Sequence, residues 1–241
     1  MLNHLLIGTA SALLCIGTAS ADALNLLESA RQEADKPAQA EEEKAGVAGF
    51  YLRAEVGANI MQNLNADANS ESFKVNAGID ATMTAGYRFT ELIGVEFQSG
   101  FTWNSINNFK NNAGKQTSAS GDFYQVPLVA NLVFTIPISK GQYQPLFGRD
   151  TDLIFFAGGG GGYVNGSASI NTGEVFSIDA WTYRYQAGAI MQAYLSEKTK
   201  MGIYFRFSGT GNLDGTTPAG ADYKLGPALN YAIGLNLSIR F

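Results

Sequence analysis

Hydrophobic and polar residues alternate along most of the chain after residue 49. The final segment shows this most clearly, because apolar side chains occupy every second position from Leu229 to Phe241 and polar or small residues fill the gaps. Successive side chains of a strand point to opposite faces, so the pattern predicts a strand with one wholly apolar face. Seven other segments repeat it, and the eight predicted strands span about 50–61, 76–89, 92–105, 122–136, 152–165, 179–195, 199–209 and 227–241.

The number, length and spacing of these strands predict an all-β fold, an eight-stranded antiparallel up-and-down transmembrane β-barrel. The strands exceed the length usual in soluble sheets and are long enough to cross a bilayer at a tilt. Short periplasmic turns and long outer loops are typical of such barrels. The connections between the predicted strands of this chain alternate in length in the same way. Tight turns lie at 90–91 and 196–199, and long polar loops lie near 62–75, 105–121, 166–178 and 210–226. The long stretch 137–151 breaks the rule, because a short turn is expected there.

Aromatic residues gather at the predicted strand ends, as they do in the two girdles that flank the apolar band of outer-membrane barrels. The predicted periplasmic girdle holds Phe50, Tyr87, Phe89, Phe134, Phe155 and Phe241, and the predicted outer girdle holds Trp103, Tyr124, Trp181, Tyr183 and Phe207. A soluble eight-stranded barrel of the lipocalin type also alternates, with its apolar face inward around a ligand. Alternation alone does not separate the two architectures.

The first 21 residues predict a secretory signal peptide. An apolar run from Leu5 to Ile16 precedes the small-x-small sequence at 19–21, which suits cleavage before Asp22. Cys15 follows the bulky Leu14, where a lipoprotein site carries a small residue, so lipidation is the weaker interpretation.

Cleavage at this point limits the chemistry of the mature protein. His4 and Cys15 are the only histidine and cysteine of the chain, and both would leave with the signal. Disulfides, His or Cys zinc sites, Cys nucleophiles and Ser-His pairs are then excluded. We therefore expect no metal and no cofactor. Asn212, Asp214 and Asp222 are the one candidate calcium set, although loops of this composition usually only turn.

Residues 22–48 differ in composition from the predicted barrel domain at 49–241. They contain seven acidic and three basic residues and no aromatic, so they carry most of the chain's net charge of −5. Such a composition favours a solvated periplasmic linker. A partner-binding helix over 23–34, ended by Pro37, is the alternative. Because the barrel segment is nearly neutral, the sequence indicates no nucleic-acid partner.

Four motifs carry a resemblance to a known family. The stretch 126–132 is similar to its VPxxxNL strand, 157–163 to its glycine-rich strand, 185–189 to its YQAGAG strand, and 205–207 to its YRY strand with Phe in place of both Tyr. On these motifs, residues 49–241 resemble the small Gram-negative outer-membrane barrels around OmpA and OmpX, including porin-like surface antigens. In that family a C-terminal Phe closes the last strand and serves as an assembly signal. The resemblance assigns that role to Phe241, with Ile239 and Leu237, and implies contact with the barrel-assembly machinery.

Eight charged residues fall on the predicted inner face: Arg53, Glu55, Asp80, Arg88, Glu96, Arg184, Arg206 and Arg240. Charges in a narrow barrel must pair with one another or with water. An eight-stranded barrel has an interior just wide enough for side chains, which favours a polar plug over a pore. Arg184 and Arg206 stand between aromatic residues, so only the inner face suits them. We expect the two to be neighbours, with Glu55, Asp80 or Glu96 offsetting their charge.

Glycines 158–162 could suggest a phosphate-binding loop, but no Lys-Ser/Thr pair follows and no helix begins there. A strand packed against bulky inner side chains is the better interpretation. The enzymatic outer-membrane barrels of known mechanism rely on His with Ser or Asp, so we expect no catalysis.

Two functions stay open. One is a surface barrel that supports membrane integrity and contacts lipid, lipopolysaccharide or extracellular ligands through its outer loops. The other is a narrow porin or a transporter of small or hydrophobic solutes.

Overall fold

The computed structural model describes residues 48–66, 71–138, 151–170 and 173–241. The signal peptide predicted at 1–21, nearly all of the linker predicted at 22–48 and most of the turn at 137–151 lie outside the described residues. No helix in the described part of the chain is long and apolar enough to cross a membrane.

Twelve β-strands make up the described regular structure. They are β1 (Gly49–Met61), β2 (Leu64–Asn65), β3 (Ser72–Val75), β4 (Gly78–Arg88), β5 (Ile93–Lys110), β6 (Gln116–Pro137), β7 (Thr151–Ile170), β8 (Gly173–Tyr194), β9 (Thr199–Thr210), β10 (Leu213–Thr216), β11 (Asp222–Leu225) and β12 (Leu229–Arg240). Eight of these are long. The four short strands β2, β3, β10 and β11 lie in the connections that follow β1 and β9.

The long strands close into a barrel. Each pairs antiparallel with its neighbours in the order β1-β4-β5-β6-β7-β8-β9-β12, and β12 pairs back to β1. The eight-stranded antiparallel up-and-down barrel predicted from the alternation is confirmed. We call the end with the tight turns the periplasmic end and the opposite end the outer end.

Two of the predicted outer loops are mostly strand in the structure, so the prediction of loops there is wrong. Most of 105–121 is paired strand, because β5 and β6 stay paired as far as Lys110 and Gln116. Most of 166–178 is also paired, because β7 and β8 reach the pair Ile170–Gly173. Above a membrane the outward face has no need of apolar side chains. Ser, Thr and Asn therefore continue the ladder where the sequence pattern indicates a loop.

The register around the barrel fixes its tilt. The chain of paired residues that starts at Phe50 passes once around the barrel and returns to β1 at Ile60, ten residues further on. With strands about 4.8 Å apart and a rise of about 3.3 Å per residue, this offset tilts the strands by about 40°. Barrels that cross outer membranes have tilts of this size.

The barrel is apolar outside and polar inside. The large exposed hydrophobic side chains lie almost entirely at outward strand positions, from Phe50 to Ile60 on β1 and from Ile233 to Ile239 on β12. On β1 this belt is about 25 Å tall at the tilt given above, which matches the apolar band of a membrane barrel. Meanwhile buried polar side chains fill the inward positions of the same strands. A lipocalin-type barrel has the opposite arrangement, so the soluble alternative is excluded.

Two glycines set the seam where the barrel closes. Gly57 on β1 lies opposite Gly234 on β12. A Cβ built on Gly234 would lie 2.1 Å from the carbonyl oxygen of Val56, and one built on Gly57 would lie 2.2 Å from that of Ile233. Since real Cβ atoms do not approach so closely, the two strands can meet in this geometry only with glycine at both positions.

The outer end of the interior is an apolar plug. Its fully buried members come from the long strands and from the short strands at the barrel mouth. They include Leu64, Phe73, Phe123, Val164, Phe176, Ile178, Leu213 and Leu225, none of which is exposed. Phe73 packs edge-on against Phe176 at 4.6 Å between ring centroids. The short strands therefore bury their apolar faces over the barrel mouth and close it.

The lipid-facing belt gives a first testable expectation. Leu235 lies near the middle of the belt and is 58% exposed. Leu235→Arg should destabilise the barrel by about 2–4 kcal/mol, because a cation there would face hydrocarbon. Urea unfolding of the protein folded into lipid vesicles measures this. Ser118→Arg, on the outer extension of β6, is the matched control and should change stability little. Equal losses from both variants would mean that the belt does not face lipid.

A second expectation concerns the chain end. Phe241 is 71% exposed at the periplasmic rim, and its amide N–H donates to the carbonyl oxygen of Phe50 at 3.0 Å. If Phe241 serves as the assembly signal with Ile239 and Leu237, Phe241→Ser should lower the amount of folded protein in the outer membrane. Phe89→Ser removes another exposed aromatic from the same rim and should have the smaller effect. Heat-modifiable gel migration of membrane fractions measures the folded amount.

Candidate functional site

Arg53 is the centre of the charged cluster in the lower half of the lumen. Its Nε donates to Glu55 at 2.7 Å, and its two terminal nitrogens donate to the two oxygens of Glu96 at 2.6 and 2.7 Å. Tyr51 adds a hydroxyl donor to Glu96 at 2.5 Å. All three charged residues are almost completely buried. The bidentate geometry and the tyrosine satisfy carboxylate oxygens that burial would otherwise leave unpaired.

Arg206 extends this cluster across the lumen from β9. It donates to Glu55 at 2.8 Å and to Asp80, and the hydroxyl of Tyr204 donates to the same Asp80 oxygen at 2.8 Å. Thr82 and Gln98 donate to Glu55 as well, at 3.0 and 3.1 Å. Residues from β1, β4, β5 and β9 thus form one connected network with two arginines and three carboxylates.

Arg184 stands apart from that network, contrary to the sequence-based expectation. It has no carboxylate within 4.0 Å among the described residues and donates instead to Gln125 and, at 2.9 Å, to Ser208. The register explains this, because Arg184 lies opposite Thr210 whereas Arg206 lies opposite Gly188. The two arginines are therefore four positions apart along the ladder, and only Arg206 reaches the carboxylates.

Arg184 belongs to a layer of amides below the apolar plug. Asn59 donates to Asn104 at 2.6 Å and to Asn230 at 3.1 Å, and Asn230 exchanges hydrogen bonds of 3.3 Å with Gln125. Gln125 joins this layer to the guanidinium of Arg184. Neutral amides of this kind can satisfy one another without any added charge.

The glycine run of β7 makes room for these side chains, as the strand interpretation expects. A Cβ on Gly162 would lie 3.5 Å from the Cδ of Arg184, and a Cβ on Gly158 would lie 2.4 Å from the side-chain oxygen of Asn131. Larger residues on this inward face would collide with the amide and arginine side chains or with the neighbouring strand. The inward glycines of the run, at 158, 160 and 162, therefore serve packing in the lumen.

Arg88 and Arg240, which the sequence places in the same polar network, lie at the periplasmic mouth instead. Arg88 is opposite Gly49 and Arg240 is opposite Tyr51, so both flank the beginning of β1. Within the described residues neither has a carboxylate within 4.0 Å. They are the last inward positions of β4 and β12, beyond the reach of the buried acids.

A pair that the sequence analysis missed lies at the same end. Lys200 on β9 donates to Asp152 on β7 at 2.5 Å, and its ammonium group lies 4.0 Å from the ring centroid of Tyr194. Lys200 shares the parity of Tyr204 and Arg206, so alternation could have identified it. Asp152 could not be assigned to the inner face, because the five glycines of β7 interrupt the alternation that distinguishes inward from outward positions.

Charge is balanced inside the barrel. Among the described residues four buried cations, Arg53, Arg184, Lys200 and Arg206, accompany four buried anions, Glu55, Asp80, Glu96 and Asp152. The central network carries one surplus negative charge, which Arg184 offsets from the layer above. Such neutrality reduces the cost of keeping ions in a low-dielectric interior.

The outer hairpins are tied together over the plug. Ala66 bridges to Leu225, and the amide of Gly226 donates to the carbonyl oxygen of Asn65 at 2.8 Å. The hydroxyl of Tyr223 donates to Glu71 at 3.0 Å. Burial and the neighbouring carboxylate raise the pKa of Tyr223, so the hydroxyl keeps its proton and remains a donor.

The outer face of the β3-β5-β6 sheet is polar and basic. Lys74 lies opposite Asn108, and Lys110 lies opposite both Ser72 and Gln116, so the two lysines share one exposed face. In the described part of the chain neither forms an ion pair. We call this surface, with Lys115 in the adjoining turn, the lysine face.

The candidate calcium residues do not form such a site. Asp214 lies opposite Lys224, and Asp222 lies opposite Thr216 at the other end of the β10-β11 hairpin. No group of three acidic, His or Cys side chains with metal-binding proximity occurs among the described residues.

Known structures share this architecture. A major outer membrane protein from Thermus thermophilus matches with a TM-score of 0.50 and 10% identity over 81% of this chain and 100% of that one. OprG from Pseudomonas aeruginosa matches with a TM-score of 0.48 and 14% identity over 81% and 97%. Neisserial surface protein A matches with a TM-score of 0.47 and 13% identity over 80% and 99%. No protein-family model matches the sequence, and no curated protein is significantly similar to it.

The chain is an outer-membrane β-barrel. The inside-out distribution of polar residues requires a bilayer around the barrel, and the shared fold agrees with the small outer-membrane barrels expected from the sequence motifs. At this level of identity the likeness shows the fold alone. What the barrel does has to be argued from its own lumen and outer hairpins.

The charged network yields a third expectation. Glu55→Gln removes the carboxylate that contacts both Arg53 and Arg206, which leaves each arginine with a single acidic partner and the buried interior with one surplus positive charge. We expect a loss of about 3–5 kcal/mol in the free energy of unfolding, measured by urea titration in lipid vesicles. Asp214→Asn removes an acid from an outer hairpin and should cost less than about 1 kcal/mol. A Glu55 variant as stable as the Asp214 variant would contradict the network's structural role.

Proposed function

We propose that this outer-membrane barrel is a sealed, non-catalytic surface protein that supports membrane integrity and binds the phosphorylated saccharide of lipopolysaccharide through its outer hairpins. The observation that carries this proposal is the combination of an obstructed lumen with a rigid, basic outer surface. Neither feature alone would distinguish a surface barrel from a pore.

The obstruction has two independent layers. Residues with no exposed surface, such as Phe73 and Phe123, fill the outer end. In the lower half, the ion-paired network around Arg53 lies together with buried apolar side chains such as Ile154, Phe156 and Ile190. A hydrated solute would have to displace both the apolar plug and several charge-assisted hydrogen bonds. This arrangement supports a structural role for the lumen.

The lysine face has the chemistry of a phosphate and sugar surface. Lys74 and Lys110 provide two exposed ammonium groups on one paired sheet, and Asn108, Gln116 and Ser118 surround them with hydroxyl and amide groups. Lysine binds phosphate as a point charge, and amides and hydroxyls suit sugar hydroxyls. Because the surface is built on continuous strands, little ordering is needed on binding.

The absence of histidine from residues 5–241 supports a non-catalytic role. The buried carboxylates of the lumen are all engaged in ion pairs, which leaves few groups to act as a general base. These ion pairs favour stability over reaction.

The alternative is a narrow porin or a transporter of small or hydrophobic solutes. The apolar plug favours its hydrophobic version, since an interior lined by Phe123, Val164 and Phe176 would suit an apolar solute if the outer hairpins separated. Uptake of a radiolabelled apolar solute into vesicles that contain the folded protein would support this alternative over the proposal.

The direct test is binding of lipopolysaccharide by the protein folded in detergent micelles. Lys74→Gln/Lys110→Gln should weaken binding at least tenfold at low salt. This double variant loses the electrostatic attraction to phosphate, which salt screens least under these conditions. Lys198→Gln/Lys224→Gln removes two lysines from other surfaces and should leave binding nearly unchanged. Dephosphorylated lipopolysaccharide should bind weakly to all variants. Equal binding by the two double variants would overturn the proposal.

A further inference from the structure

The periplasmic mouth of the barrel contains a narrow basic recess. It encloses about 20 Å³ and is lined by Gly49, Tyr51, Arg53, Arg88, Ile154, Gln192, Lys200, Ser238 and Arg240. Four of these nine residues are cationic and none is acidic. The volume is enough for about one water-sized group, such as one oxygen of a carboxylate.

Two of the four cations are not neutralised. Arg53 binds Glu55 and Glu96, and Lys200 binds Asp152, whereas Arg88 and Arg240 have no carboxylate within 4.0 Å among the described residues. These two guanidinium groups stand on either side of Gly49, which has no side chain to separate them. This juxtaposition creates a local excess of positive charge at the opening.

An unpaired acceptor lies deeper in the recess. The side-chain oxygen of Gln192 has no hydrogen-bond partner among the described residues, although the residue is only 2% exposed. A buried acceptor without a partner costs free energy unless an N–H or O–H group reaches it. The recess therefore offers two donors for an anion near its mouth and one acceptor for a donor inside.

We propose that this recess binds a carboxylate side chain of an acidic peptide segment in the periplasm. Arginine pairs with carboxylates in a bidentate geometry, and one water molecule, which the recess is large enough to hold, can donate to the Gln192 oxygen behind the bound carboxylate. Arg88 and Arg240 have the inward parity of Thr84 and Ser238, so they face the lumen rather than the lipid. A peptide that approaches from the periplasm reaches them, whereas phospholipid headgroups lie outside the barrel wall.

The test measures binding of a fluorescently labelled hexaglutamate peptide to the full chain folded in detergent micelles at low salt. We expect saturable binding that Arg88→Gln/Arg240→Gln weakens at least tenfold. Lys224→Gln removes a positive charge from the outer end, at a position outside both the recess and the lysine face, and should leave binding unchanged. Hexaglutamine should not bind. Heat-modifiable gel migration establishes that each variant is folded.

A second variant separates binding from stability. Gln192→Glu is nearly isosteric and places a negative charge in the recess near Lys200 and opposite Asp152, so it should abolish peptide binding. Heat-modifiable gel migration shows whether this variant is folded, and binding is compared only in the folded fraction. Undiminished binding by either recess variant, or an equal loss in the Lys224 variant, would overturn the proposal. Equal binding of inorganic phosphate or of anionic lipid vesicles through the same arginines would also overturn the assignment to an acidic peptide.

Discussion

Closure of the backbone ladder between β1 and β12 is the constraint on which the rest of the structure depends. In a bilayer every strand N–H and C=O must find a partner within the protein, so an open sheet edge is not permitted. The glycine pair at 57 and 234 lets the first and last strands meet. Eight strands and a ten-residue offset then leave an interior that only side chains can fill.

That narrow interior determines how the inward polar residues are paired. Alternation sends every second residue inward, and the outward face is reserved for apolar side chains. The inward charges must therefore neutralise one another, as Arg53 and Arg206 do with Glu55, Asp80 and Glu96. The amide layer and the apolar plug continue the filling towards the outer end. One geometric condition thus accounts for the belt, the network and the closed mouth.

Features that depend on alternation could be predicted from the sequence, and features that depend on register could not. The inward orientation of Arg184 and Arg206 follows from their position between aromatic residues. Their separation by four ladder positions does not, because it needs the pairing of β8 with β9. The pairing of Arg206 with Glu55, from strands far apart in sequence, depends in the same way on the offset around the barrel.

The ends of the barrel were the least predictable parts. Phe73, Phe176, Leu213 and Leu225 lie in stretches whose composition indicates polar loops, yet they form the plug. Single apolar residues among Ser, Asn and Gly carry no periodic signal, and only the folding of the short strands over the mouth brings them together.

Single-channel conductance in a planar bilayer decides whether the two layers of side chains seal the lumen. We predict that the folded full chain inserts and produces no steady conductance above the bare bilayer at moderate voltage. A stable, ohmic conductance that scales with the amount of folded protein would contradict a sealed lumen, because ions would then have a continuous path past both the plug and the charged network.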